Sequence, residues 1–211
     1  MFNAEKMYTY VRGFATGANM PETLRALTFA RQKHEGQLRK SGEPYIVHPL
    51  TMACDALALG IRDDEIIATV LLHDVCEDCD VFPDELPVGD AVKRSVALLT
   101  FSVRQGEAKT AALTRYYAEI KGDRPATVTK LLDRCHNVSS MAGPFPKDKL
   151  LSYIDETRSF VLPLLRDAKE SWPCDSDMLF VLKYHIVSVV DSVELTIRAC
   201  NNGMYDNAKS A

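Results

Sequence analysis

Four groups able to bind a metal ion or move a proton, His73, Asp74, Glu77 and Asp78, stand within six residues, directly behind the apolar residues Ile66, Ile67, Val70, Leu71 and Leu72. If one helix carries them all, residues four apart share a face, so His73 aligns with Glu77 and Asp74 with Asp78. Placing four ionisable groups at the end of an apolar helix is costly unless a metal ion, a shared proton or solvent compensates. Asp63 and Asp64 mark where that helix starts, because acidic side chains favour a helix N-terminus.

A second apolar segment, 126–141, repeats the pattern: Val128, Leu131, Leu132 and Val138 pack, while Lys130, Asp133 and Asn137 fall on one side at i, i+3 and i+7. His48 precedes Pro49, a residue suited to opening a helix, and at that boundary its imidazole can point away from the barrel. His48, His73, Asp74 and Asp133 thus make a set of two imidazoles and two carboxylates presented by separate helices of a bundle. Nitrogen and oxygen donors without thiolate suit Mn2+, Fe2+, Mg2+ or Zn2+, and four protein ligands leave octahedral positions open to water and substrate. The chemistry implied is hydrolytic. His136, three residues after Asp133, has ligand spacing but reads as a partner to solvent or to a carbonyl. His34 reads as a packed or surface residue, and His185 as structural. Cys76 and Cys79 form a C-x-x-C without a second pair at zinc spacing, so neither a zinc nor a redox site is expected there.

The elements that must position these residues read as helix after helix. Pro21 suits a first helical turn, with the helix running to about Gln37. Gly42 and Pro44 make 38–46 a loop carrying Arg39 and Lys40, followed by a helix to Gly60. Pro83 and Pro87 impose another loop. Helices follow over 91–99, 109–121 and 126–141, then from Lys147 to about Phe160 with a break at Pro163, and finally from Ser176 to about Asn201. The broad apolar face of the last helix suits core or an oligomer interface. The chain has 211 residues, 46% of them hydrophobic, enough to bury a core as one domain, 1–211. Its net charge of −4 argues against a nucleic-acid or membrane-surface protein. Six irregularly spaced cysteines, the lack of a signal-like stretch in 1–20 and the lack of a membrane span lead to a cytoplasmic expectation.

Three separated motifs carry a family resemblance: Arg39–Lys40–Ser41–Gly42–Glu43–Pro44–Tyr45 ending in His48–Pro49, His73–Asp74 followed by Glu77–Asp78, and Lys130–Leu131–Leu132–Asp133–Arg134–Cys135–His136–Asn137. Over about residues 20–145 the chain resembles the hydrolase half of the RelA/SpoT alarmone enzymes, within the HD-domain superfamily, and most resembles the stand-alone small alarmone hydrolases. The resemblance implies an all-α HD-domain bundle that removes the 3′-diphosphate of guanosine tetra- or pentaphosphate with Mn2+, one divalent ion per chain. It matches His48, His73, Asp74 and Asp133 to metal ligands, and Glu77 and Asp78 to the acidic pair acting on the attacking water. Arg39, Lys40, Ser41, Lys130, Asn137 and Ser140 match the surroundings of the nucleotide. The chain departs from the family at Cys79, where Thr is usual, and at Val138–Ser139–Ser140, usually bearing Arg and Thr. Losing the cation at Ser139 leads to an expectation of weaker discrimination between guanosine and adenosine alarmones. Adenosine alarmones, NADPH and a non-catalytic nucleotide-binding module are the alternatives. The partner expected is a small nucleotide, with homo-oligomer contact through the C-terminal helices.

Overall fold

The computed structural model describes residues 3–39 and 41–201 and is all-α. Its helices are α1 (Ala4–Gly17), α2 (Pro21–Lys33), α3 (Val47–Ala58), α4 (Asp64–Leu72), α5 (Val75–Asp78), α6 (Asp90–Leu99), α7 (Lys109–Ile120), α8 (Arg124–Ser140), α9 (Lys147–Glu156), α10 (Leu162–Ser171) and α11 (Ser176–Asn201). Among the described residues the only β pairing is an isolated antiparallel bridge between Leu38 and Pro44. It closes the 38–44 loop, where Gly42 takes φ +83° and lets its N–H donate back to Arg39 O.

α4 is the axis of the molecule. It is apolar all round, every residue from Ile66 to Leu72 is buried, and it packs against α2, α3, α6 and α8. Asp63 caps it, accepting from the N–H groups of Glu65 and Ile66. The neighbouring Asp64 reaches outward and caps α2, accepting from Glu22 N at 2.9 Å and Thr23 N at 2.7 Å. One acidic pair therefore starts two helices. A smaller apolar cluster of Val138, Met141, Leu150, Ile154, Ile186 and Val190 holds α8, α9 and α11 together.

Several boundaries differ from expectation. α2 stops at Lys33, because His34 turns back to bond Gln37 (Nδ1 to Oε1, 2.6 Å) and stacks on Tyr45. The helix bearing His73 to Asp78 is not continuous: it stops at Leu72, turns at His73–Asp74 and restarts at Val75. α9 ends at Glu156, and Pro163 does not break the chain's helical course. A π-turn over Thr157–Val161 absorbs the proline, whose missing N–H and ring would clash with a regular turn, and α10 follows directly. α1, unassigned from the sequence, packs on α2 and α3. α11 is half core: Met178, Leu179, Leu182, Ile186 and Val190 are buried, whereas Phe180, Val181, Tyr184 and Leu195 are exposed.

Arg134 ties α8 to this π-turn. Its guanidinium is buried and donates to Tyr117 Oη and Thr157 Oγ1 at 3.2 Å each and to the Glu156 carboxylate. Arg134→Met leaves Glu156 without its cation and is expected to cost about 3 kcal/mol, the low end for breaking a buried pair, since Glu156 keeps some water contact. Denaturant unfolding followed by circular dichroism measures this; a loss below about 1 kcal/mol would contradict the assignment.

Candidate metal centre

The turn at His73–Asp74 decides the geometry. Adjacent residues on a regular helix point about 100° apart, but here both side chains reach one point. His48 from the first turn of α3 joins them, and the ligand atoms of His48, His73 and Asp74 lie within 4.8 Å of one another. Asp133, in mid-α8, stands beside this group. Its Oδ1 is 3.4 Å from His48 Nε2 and 4.0 Å from His73 Nε2, while Asp74 Oδ2 is 3.5 Å and 3.0 Å from the same two nitrogens.

The hydrogen-bond partners fix which ring nitrogens are free. His73 Nδ1 lies 2.8 Å from Val70 O, which can only accept, so this nitrogen carries a proton. His73 Nε2 is buried without a hydrogen-bond partner, close to Asp74 but out of alignment with it. A metal ion is the partner that such an atom fits. On the other side, Arg39 Nη1 lies 3.4 Å from His136 Nδ1, and a guanidinium only donates. His136 Nδ1 is therefore the acceptor, and His48 Nδ1, 3.0 Å away, must donate to it. That leaves the lone pair of His48 Nε2 facing the carboxylates. His136, expected to face solvent or a carbonyl, thus supports His48, and burial together with the neighbouring His48 and Arg39 pushes its pKa down to about 3, keeping it neutral. His136→Ala is expected to weaken Mn2+ binding 10- to 100-fold, as the loss of such outer partners commonly does. Calorimetric titration of chelator-treated protein measures it, and wild-type affinity would contradict the relay.

The electrostatics fit a cation. Burial alone would raise the pKa of Asp133, but Lys130, 3.2 Å from its Oδ2, and the two imidazoles hold it below the usual carboxylate range. Asp74 is likewise lowered against its burial by His73 and His48. Burial works against a charged His73, yet Asp74 and then Asp133 outweigh it and raise its pKa to about 9. A proton on His73 serves where a metal would otherwise balance two carboxylates, so metal binding releases it. Tyr45, absent from the expected site, donates from its hydroxyl to Asp74 Oδ2 at 2.6 Å; burial, then the charge of Asp74, raises its pKa and keeps it a donor.

Two cavities adjoin the cluster and share Arg39, Tyr45 and Asn137 as walls. The smaller, about 360 Å3, contains His48, His73, Asp74, Asp133, Lys130 and Glu77. Glu77 is held by Phe101 N, which donates to its Oε1 at 2.5 Å, and desolvation raises its pKa. The larger, about 800 Å3, runs alongside and takes in Asp78, Ser41 and Ser140. The acidic pair is therefore divided, Glu77 facing the metal pocket and Asp78 the cleft. Asn137 Nδ2 donates to Asp133 Oδ1, and Arg39 Nη2 donates to Asn137 Oδ1 at 3.3 Å. Lys40 lies outside the described residues. Ser139 Oγ lies 2.7 Å from His185 Nε2, and Cys79 Sγ only weakly approaches Lys33 O and His34 Nδ1 at 3.5 Å. His185, expected to be structural, is exposed on the cleft rim and links α11 to α8.

Residues 26–111 match the HD domain family. A guanosine-3′,5′-bis(diphosphate) 3′-pyrophosphohydrolase of Aquifex aeolicus (strain VF5) is 35% identical over 148 residues, covering 68% of this chain and 21% of that protein. The bifunctional (p)ppGpp synthase/hydrolase SpoT of Escherichia coli (strain K12) is 30% identical over 173 residues, 78% of this chain and 24% of that protein. This chain thus spans between a fifth and a quarter of the length of these curated relatives. A solved structure described as a metazoan ortholog of SpoT that hydrolyzes ppGpp shares the fold, with a TM-score of 0.54 and 21% identity over 72% of this chain and 96% of that one. The match over residues 26–111 and the all-α fold agree on an HD-type helical domain. Within that class its sequence is similar to the (p)ppGpp hydrolases, in agreement with the three motifs. No helix among the described residues is long and apolar enough to cross a membrane.

Proposed function

We propose that this protein is a metal-dependent pyrophosphohydrolase that removes the 3′-diphosphate of guanosine tetra- or pentaphosphate, giving GDP or GTP and pyrophosphate. The observation that carries the reading is the convergence of His48, His73 and Asp74, with Asp133 beside them and the buried His73 Nε2 turned toward both carboxylates, at the side of a nucleotide-sized cleft. These four residues would hold one divalent ion, proposed as Mn2+. When bound, the ion supplies Lewis acidity toward the phosphoryl oxygen and lowers the pKa of water.

The chain's own residues supply the rest. Glu77, kept basic enough by desolvation and fixed by Phe101 N, takes the proton of the attacking water. Lys130, charged beside Asp133, and Arg39 offset the polyanionic ligand in an acidic protein. Asn137 sits between the metal pocket and the cleft, where a ribose joins phosphate to base. Asp78, Ser41 and Ser140 line the nucleoside side, with Lys40 assigned there from the family motif. Residues 1–211 act as one domain, cytoplasmic, with the exposed Phe180 and Tyr184 of α11 available for contact between copies. Adenosine alarmones or NADPH would use the same metal chemistry, a second reading motivated by the missing cation at Ser139, whose hydroxyl is engaged by His185. The test is restoration of activity: chelator-treated protein should cleave guanosine 3′-diphosphate 5′-diphosphate only after divalent metal is returned, best with Mn2+.

A further inference from the structure

The 800 Å3 cleft holds a carboxylate that the proposed reaction does not use. Asp55 lies on α3 seven residues beyond His48, two helical turns or about 10 Å along the same face. Ser140 lies the same number of residues beyond Asp133 on α8, which packs against α3. The cleft therefore extends two turns from the metal pocket, walled at its far end by apolar side chains that include Leu59, Met141 and Val181. The Asp55 carboxylate, exposed on the cleft wall, has neither a hydrogen bond nor an ion pair among the described residues. Partial desolvation raises its pKa, and the field of His185 opposes this only in part.

A free carboxylate is an awkward wall for a site that takes a polyanion. Phosphates must therefore lie at the Arg39 and Lys130 end, and the uncharged base must lie where Asp55 stands. An ionised carboxylate only accepts hydrogen bonds. Guanine presents N1–H and a 2-amino N–H side by side on one edge, two donors matching two carboxylate oxygens in a charge-assisted pair. Adenine puts the lone pair of N1 on that edge, and a carboxylate repels it.

Resting on the proposed function for the reaction at the metal, we infer that Asp55 reads the base and selects guanine over adenine. This predicts stronger discrimination than the missing cation at Ser139 alone does, since selectivity here comes from an acceptor on α3 and not from a cation on α8.

The experiment measures kcat/KM for guanosine, inosine and adenosine 3′-diphosphate 5′-diphosphates with wild type, Asp55→Asn and Asp55→Ala, beside equilibrium binding of GDP and ADP to each. Retained Mn2+ affinity shows that the variants are folded. Wild type should rank guanosine above inosine above adenosine, and both substitutions should lower the guanosine-to-adenosine ratio by roughly 10- to 100-fold, the usual worth of a bidentate base contact. A ratio within about twofold of wild type in Asp55→Ala, in turnover and in binding alike, overturns the inference. If no nucleotide is cleaved but GDP binds over ADP in an Asp55-dependent way, the proposed reaction fails and the base reading stands.

Discussion

Asp133→Asn is expected to weaken Mn2+ binding by more than about 100-fold, beyond what outer-shell changes cost, and to lower hydrolysis with it. Asp133 is the group from α8 that meets both imidazoles, and an amide offers a poorer, uncharged donor in the same volume. Asn is chosen over Ala because Lys130 and Asn137 both bond this side chain, and an empty position would leave a buried ammonium without a partner. Calorimetry reports the affinity, and a thermal melt in chelator reports the fold. Wild-type affinity in a folded Asp133→Asn protein would remove α8 from the metal site.

Glu77→Gln is expected to retain fold and metal affinity while losing roughly 100-fold or more in kcat, the scale of a positioned acid–base group. The amide oxygen can still accept from Phe101 N, so the side chain stays in place and only its basicity goes. A loss confined to KM would assign Glu77 to substrate binding instead. Asp78 provides the contrast, because it lines the cleft and not the metal pocket.

The convergence of His48, His73, Asp74 and Asp133 is legible in part because the signals are local. His73–Asp74 behind an apolar run and Asp133 on an apolar helix each announce a polar group delivered from the core. The turn that brings His73 and Asp74 to one point was not legible, since Leu71 to Asp78 contains no Gly or Pro to mark it. The contacts of His136 are not legible in the sequence, because they involve two residues nearly a hundred positions away, Arg39 and His48, whose donor and acceptor assignments follow only from contact. Tyr45 belongs to the first motif and stands three residues before His48, within a turn of the site, but only the folded contact shows its hydroxyl on Asp74. Asp55 shares a helical face with His48, seven residues onward, but the cleft it lines is built by α3, α8 and α11 together and has no signal in any one of them.

The most direct test is 31P NMR of guanosine 3′-diphosphate 5′-diphosphate turned over in 18O-labelled water with Mn2+ present. Pyrophosphate and GDP should appear in equal amounts, with the label in the pyrophosphate. Release of orthophosphate, label in the nucleoside 3′-hydroxyl, or an intact substrate under metal-saturating conditions would contradict a 3′-pyrophosphohydrolase.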